Sequence, residues 1–196
     1  MTNLARLLES GAEAAAAGLL GCVLRSGVGG QATAGRIVET EAYLPEGDAA
    51  SHSYRGETKR CRSMFARAGT AYVYLIYGMH RCFNVVTGDV GRGEAVLVRA
   101  LEPLDGLDAM RARRGETVSD RDLCRGPGRL AQALGIELEH DGLGLLDAES
   151  PITLEPGPGE PLAHERSTRI GITKAADLRL RFVPTDAGLR RLASRS

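Results

Sequence analysis

The stretch RIVETEAYL, residues 36 to 44, sets Glu39 and Glu41 two positions apart, with Tyr43 two positions further on. Its β-branched residues suit a strand, and alternate side chains of a strand share a face. Strict alternation puts Ile37, Glu39, Glu41 and Tyr43 on one side and Val38, Thr40 and Ala42 on the other. Two carboxylates so placed can share a proton, bind a metal, or divide into a structural partner and a general base. They can also simply face solvent. A glycosidase pair is a further reading, since retaining enzymes hold their carboxyls about 5 Å apart. Those carboxyls approach a bond from different elements, whereas neighbours on one strand flank nothing. Asp48 and His52 follow closely and could join Glu41 around a metal, but such a site needs three or four converging donors. The four histidines (52, 80, 140 and 164) include no two at ligand spacing, and no metal is expected.

The tyrosines are the second chemical signal. There are five, at 43, 54, 72, 74 and 77, and three of them crowd into YVYLIYG. On an ideal strand Tyr72 and Tyr74 share a face, and Tyr77 opposes them unless the chain leaves strand geometry before Gly78. Cross-strand aromatic packing is one reading. The other is a stacking surface with a ring projecting at a hairpin tip, because stacked bases contribute about 1–3 kcal/mol each. No dinucleotide fingerprint, P-loop or G-x-S-x-G is present; GVGG at 27–30 reads as a turn, and GPG at 126–128 as a helix break whose amides could meet a phosphate.

These side chains need elements to hold them. Residues 3–24 read as helix running into strand, 35–44 as a strand, and 45–58 as polar loop. Residues 71–87 form two β-branched and aromatic runs around Gly78, a hairpin signal. A strand over 94–101 closes at Pro103, and 104–114 has helical spacing of Leu104, Leu107 and Met110. Ser119 with Asp122 resembles a capping box, and helix resumes over 129–134 after the break. A short strand lies inside ESPITLEPGPGEP, and RIGITKAADLRLRFV supplies a loop and a last strand. Without regular βαβ alternation, the expected fold is α+β: a single domain over 1–196 with a mixed, mostly antiparallel sheet, flanking helices and a protruding hairpin.

At 43% hydrophobic and 26% charged residues, the chain reads as globular and not disordered. Its most apolar early run, 14–24, falls short of the roughly 20 residues a spanning helix needs, so no membrane segment or leader is expected. Cysteines 22, 61, 82 and 124 are scattered, as expected of reduced structural thiols. Basic and acidic residues balance at 25 each but segregate. Arg55, Lys59, Arg60, Arg62 and Arg67 cluster in one segment, and Arg179, Arg181, Arg190, Arg191 and Arg195 in another; 130–160 holds seven acids and no Lys or Arg. Such a split suits one basic face toward phosphates, although ordinary solvated charge accounts for it as well.

The blocks GRIVETEAYL, DAASHS, SMFARAGTAYVYLIYGMHRCFNVVT, AVLVRALEPLDGLDAMRARR, LCRGPGRLAQALGI and RIGI…LRFV occur in order from about residue 35 to 183. Together they resemble the alkyladenine (3-methyladenine) DNA glycosylase family. The resemblance implies a monofunctional base-excision enzyme that flips a damaged, alkylated or deaminated purine out of double-stranded DNA and hydrolyses its N-glycosidic bond. By position it implies that Glu41 is the general base, and that Arg99 and the backbone carbonyl of Ile170 hold the attacking water. It further implies that Tyr43, His52 and Tyr74 enclose the base, that Asn84 crowds the 2-amino group of guanine, and that Tyr77 wedges into the minor groove. Thr58, Arg60, Arg62, Met79 and His80 fall at DNA-contacting positions. Glu39 becomes a support, with Arg99 or Arg36 compensating its charge. No cofactor, no membrane, no lyase activity, a monomer and a cytoplasmic, nucleoid-associated setting are the remaining expectations. The chain departs from the family pattern at His80, where an aromatic is familiar, and in lacking a Trp before Arg181-Phe182. A non-catalytic sheet that stacks bases on its tyrosines is the alternative reading.

Overall fold

The strand that carries Glu41 is the hub of the fold. A computed structural model describes residues 2–157 and 162–193. Strand β2, Thr33–Tyr43, is the fifth element along the chain, after helices α1 (Asn3–Glu9) and α2 (Ala12–Gly18), strand β1 (Val23–Ser26) and a short 3₁₀ turn. The hairpin follows as β3 (Ala71–Ile76) and β4 (His80–Thr87), and then β5 (Glu94–Asp105). Helices α3 (Leu107–Arg114), α4 (Asp120–Leu123) and α5 (Pro127–Leu134) precede β6 (Ile152–Glu155), β7 (His164–Ser167), β8 (Arg181–Pro184) and α6 (Asp186–Ala193). Among the described residues the eight strands form one curled sheet, ordered β3-β4-β5-β2-β1-β6, with β8 joining β2 to β7. Every pairing is antiparallel. One edge of β2 follows β5, while the other is divided between β1 in its first half and β8 at Thr40 and Glu41.

Small residues bring α2 close to this hub. Ala12, Ala15 and Ala16 are buried, and the Thr40 hydroxyl donates to the Ala16 carbonyl at 2.8 Å. The main core joins Leu8, Leu19, Leu24, Ile37, Val85, Val96, Val98 and Leu130, each buried side chain of this kind contributing about 1.5–3 kcal/mol. Val86 and Ala95, one step along the same strands, pack instead with Cys61, Met64 and Tyr72 on the opposite face. That second face carries the site.

Strict alternation fails on β2, and the failure is informative. Ile37 pairs with Leu101, Glu39 with Ala100 and Thr40 with Val98, so Val38 is an extra residue on β2 and Arg99 an extra residue on β5. The slip moves Ile37 into the main core beside Ala42, not onto the face of the glutamates. Opposed bulges of this kind re-aim side chains, and here they turn Arg99 toward Glu39 and Glu41.

Other local expectations also shift. Strand β5 runs past Pro103 to Asp105, because β4 pairs only as far as Leu97 and the proline nitrogen faces an edge that needs no donor. Helix α3 accordingly begins at Leu107. Ser119 is the N-cap of α4, but its hydroxyl donates to the Asp122 carboxylate at 2.8 Å and no capping box forms. Gly126-Pro127-Gly128 opens α5 instead of breaking a helix, with Pro127 in the first turn where a missing N–H costs nothing. Strand β7 and helix α6 have no counterpart among the sequence expectations. All four cysteines are buried and free; burial pushes the Cys22 thiol up to about 11 and Cys124 to about 12.

Candidate active site

A cavity of about 610 Å³ opens beside the exposed end of the β3–β4 hairpin. Tyr43 from β2, His52 from the following loop, and Tyr72 and Tyr74 from β3 form its aromatic walls; Asn84, Arg99 and Ile170 also line it. Alternation on β3 brings Tyr72 and Tyr74 to one face, with ring centroids 5.3 Å apart and planes 29° from parallel. His52 stands edge-on to Tyr74 at 4.6 Å, and its Nδ1 shares a 2.8 Å hydrogen bond with the Tyr72 hydroxyl. Burial, aided by the nearby Arg60 charge, lowers the His52 pKa, so the ring is neutral at pH 7. Burial likewise raises the Tyr43, Tyr72 and Tyr74 phenols well above their ordinary range and keeps them uncharged.

Glu41 lies one layer behind this wall with its side chain fully buried. Three groups that line the cavity hold it. The Ile170 amide donates to Oε1 at 2.8 Å, the Tyr43 hydroxyl donates to Oε2 at 3.1 Å, and Arg99 Nη1 lies 3.3 Å from Oε1. Burial pushes the Glu41 pKa above the usual carboxylate range; Arg99, the Ile170 amide and the Tyr43 hydroxyl pull it back only in part, and Glu39 adds a small upward push. A carboxylate raised this way, yet still ion-paired, is suited to accept a proton near neutral pH.

Glu39 is not its equal. Its Oε1 accepts from Arg99 Nε at 3.0 Å and from Arg181 Nε at 2.6 Å, so it is the anchor between two guanidinium groups. Arg36, the alternative compensating charge, is occupied elsewhere by Glu102 at 3.0 Å. Asp48 is no metal ligand partner for Glu41 and His52, because Arg169 grips both of its oxygens at 2.6 Å.

The hairpin tip presents Tyr77, 79% exposed, in a left-handed conformation (φ 52°) next to Gly78 (φ 71°). The chain thus leaves strand geometry before Gly78, and Tyr77 reaches the cavity rim instead of opposing Tyr74. Two consecutive positive φ values are the signature of hairpin turns whose twist matches the strands, and on a bulky residue such a φ is an outlier. His80 also lines the cavity, against Gly128 of α5, and Met79 is exposed beside it. Thr58, Arg60 and Arg62 do not line the cavity. Thr58 bonds the Cys61 thiol, Arg62 pairs with Glu57 at 3.4 Å, and Arg60 sits 5.7 Å from the Tyr74 ring centroid. Of the second basic segment, Arg195 and the Arg191 side chain lie outside the described residues.

Three contributions escape the sequence reading. Arg181 anchors Glu39 across 142 residues, and Arg169 with Asp48 braces the loop that carries Ile170. The start of α5, Gly126 to Arg129, forms the far rim of the cavity with Arg114 and Gln132. Its only sequence signal is the GPG motif with its free amides.

The methylpurine-DNA glycosylase (MPG) pattern matches residues 6–187. A protein of Methanoculleus marisnigri, provisionally named a 3-methyladenine DNA glycosylase, is 55% identical over 93% of this chain and 94% of its own length. Proteins under the same provisional name from Francisella tularensis and Rubrobacter xylanophilus are each 48% identical, over 95% and 84% of this chain and 96% and 84% of their own lengths. The chain belongs to the methylpurine-DNA glycosylase family. It is therefore a DNA glycosylase, a hydrolase of N-glycosyl bonds that removes alkylated purines in base-excision repair. No helix among the described residues is long and apolar enough to cross a membrane.

Proposed function

We propose that this chain excises 3-methyladenine and related alkylated or deaminated purines from double-stranded DNA, with Glu41 as the general base. The observation that carries the reading is a buried carboxylate bonded by three groups that line an aromatic cavity: Tyr43, Arg99 and Ile170. The flipped purine stacks among Tyr43, His52 and Tyr74, and Tyr77 fills the gap left in the duplex. Glu41 takes a proton from a water held by Arg99 and the Ile170 carbonyl, and the oxygen bonds to C1′ of the deoxyribose. The C1′–N bond breaks with its electron pair going to the base. A 3- or 7-alkylated purine is cationic before cleavage and neutral after it, so it departs without a strong general acid.

The tyrosine faces favour a cationic base by about 0.5–2 kcal/mol, too little to reject normal bases alone. Discrimination then rests on the weakened glycosidic bond, the easier unstacking of damaged pairs and the bulk of Asn84 against a 2-amino group. Among the described residues the cavity lining contains no lysine for a Schiff base, which supports a monofunctional enzyme without strand cleavage. We further take 1–196 to be one monomeric catalytic unit acting on cytoplasmic, nucleoid DNA, with Arg60 and Arg62 toward the phosphates.

The test is release of free base from duplexes carrying 3-methyladenine, hypoxanthine or ethenoadenine, read by chromatography, with strand integrity followed before alkali. Release of 3-methyladenine from intact strands is expected. Lesion binding with no release of any base would overturn the proposal.

A further inference from the structure

The pair formed by Arg169 and Asp48 is the most deeply buried ion pair among the described residues, and it touches nothing that reacts. Both side chains are fully buried, and the guanidinium meets the carboxylate through two parallel bonds of 2.6 Å. Arg169 also donates to the Ala42 carbonyl at 3.0 Å, and its charge sits 4.5 Å from the centre of the Tyr43 ring. Asp48 in turn accepts the Leu44 amide at 3.1 Å and the Ala50 amide at 3.2 Å. One pair therefore ties together the end of β2, the loop leading to His52, and the loop whose next residue, Ile170, bonds Glu41.

Stability alone is a poor account of this arrangement. Removing two charges from water costs about what their attraction returns, and an apolar pair of equal volume is often as stable or more so. The Arg169 Nε–H is buried without a hydrogen-bond partner, an added cost that a purely structural brace does not need. Geometry offers a better account. The bidentate fork fixes the orientation of Arg169, and the chain direction at Arg169 fixes where the Ile170 amide points.

We infer that Arg169 and Asp48 are positioning residues for excision: they hold the Ile170 amide on Glu41 and the Tyr43 ring in the pocket wall. This rests on Glu41 being the base. Every charged or titratable group packed around Glu41 bears on the test: Glu39 and Tyr43 on its own strand, Arg99 on β5, Cys82 on β4, Arg181 on β8 behind Glu39, and Arg169 itself. Of these only Arg169 governs the Ile170 amide. If the amide drifts away, Glu41 loses a donor to its charged form and titrates at higher pH.

The experiment compares wild type, Arg169→Lys, the double variant Asp48→Leu/Arg169→Met, and Glu41→Gln in single-turnover release of 3-methyladenine from a duplex across pH 5 to 9, corrected for spontaneous release. Melting and binding to undamaged duplex are followed in parallel. Arg169→Lys keeps the charge but not the fork, so its fold is retained even if the apolar pair does not pack. Both variants are expected to lose about tenfold or more of the single-turnover rate at pH 7, with the acidic limb displaced upward by about one pH unit. Binding to undamaged duplex should be unchanged. A lowered melting temperature with wild-type rate and an unmoved acidic limb, below that temperature, means a merely structural brace and overturns the inference. If Glu41→Gln is inactive while Arg169→Lys matches wild type, the inference fails alone; if Glu41→Gln is active, the assignment of the base fails with it.

Discussion

Exchanging Glu41 for glutamine replaces one carboxylate oxygen by an NH₂ group and leaves the shape unchanged, so the structure sets both its costs. The Ile170 amide, 2.8 Å from Oε1, finds the glutamine carbonyl in the same place. The Tyr43 hydroxyl, 3.1 Å from Oε2, can rotate to accept from the new NH₂. Arg99 keeps Glu39 at 3.0 Å. That rotation takes the Tyr43 O–H off its acceptor, and the second amide N–H meets none, so the hydrogen-bond loss is about 1–3 kcal/mol, a fall of about 2–12 °C in melting temperature for a chain of this size. Ionisation then sets the pH dependence. The folded pKa of Glu41 is raised above its ordinary 4.5, so the native state holds the proton more tightly than the unfolded chain does. Wild type gains that stability as pH falls toward 4.5 and loses it as pH rises through the raised value. Glutamine carries no such penalty. The variant's melting temperature relative to wild type is therefore expected to be highest near pH 8 and to fall as the solution is acidified. The rate responds more strongly: a general base contributes about 10²–10⁴-fold, so single-turnover release should fall by about that factor while lesion-duplex binding persists. Scanning calorimetry at two pH values and a quenched single-turnover assay read both quantities. Wild-type turnover by the variant would refute the catalytic assignment, and a variant whose melting temperature relative to wild type does not fall between pH 8 and acid would refute the electrostatic reasoning.

Three further outcomes are expected. The wild-type rate should decline on acidification with a midpoint above the ordinary 4.5, because Glu41 must be ionised and its pKa is raised by burial; a pH–rate profile flat down to that value would contradict this. Glu39→Gln leaves Arg99 and Arg181 sharing one fewer carboxylate, and a half-buried pair of this kind costs about 1–2 kcal/mol of stability in denaturant titration. Its rate loss should be smaller than that of Glu41→Gln, and an equal loss would make the two carboxylates partners. Tyr77→Asn keeps a residue that tolerates the left-handed conformation while removing a ring that is 79% exposed, so melting should not fall. Lesion-duplex affinity should weaken about tenfold or more, as measured by fluorescence anisotropy, from the loss of a stacking ring.

The parts legible in the sequence are those governed by near neighbours along the chain. Period-two alternation and β-branched residues announced β2 and the β3–β4 hairpin, and alternation alone brings Tyr72 and Tyr74 onto one face. The same rule misplaced Ile37, because the opposed bulges at Val38 and Arg99 arise only when β2 and β5 are laid side by side. Pro103 misled in a similar way: a proline ends a strand only where its nitrogen faces a partner, and which edge is free is a property of the whole sheet.

The sequence by itself determined the chemical inventory: one strand with two carboxylates and a tyrosine, a tyrosine-rich hairpin with glycine at its tip, and a family resemblance carried by long ordered blocks. It left Glu39 and Glu41 equivalent except through that resemblance. Tertiary structure broke the equivalence. Arg181, 142 residues away, pairs beside β2 and claims Glu39, while the Arg169 loop, stapled to Asp48, delivers the Ile170 amide to Glu41. Local pattern specifies which way a side chain faces. Which charge it meets depends on strands and loops brought together by folding, and that meeting makes one glutamate an anchor and leaves the other buried behind the pocket wall.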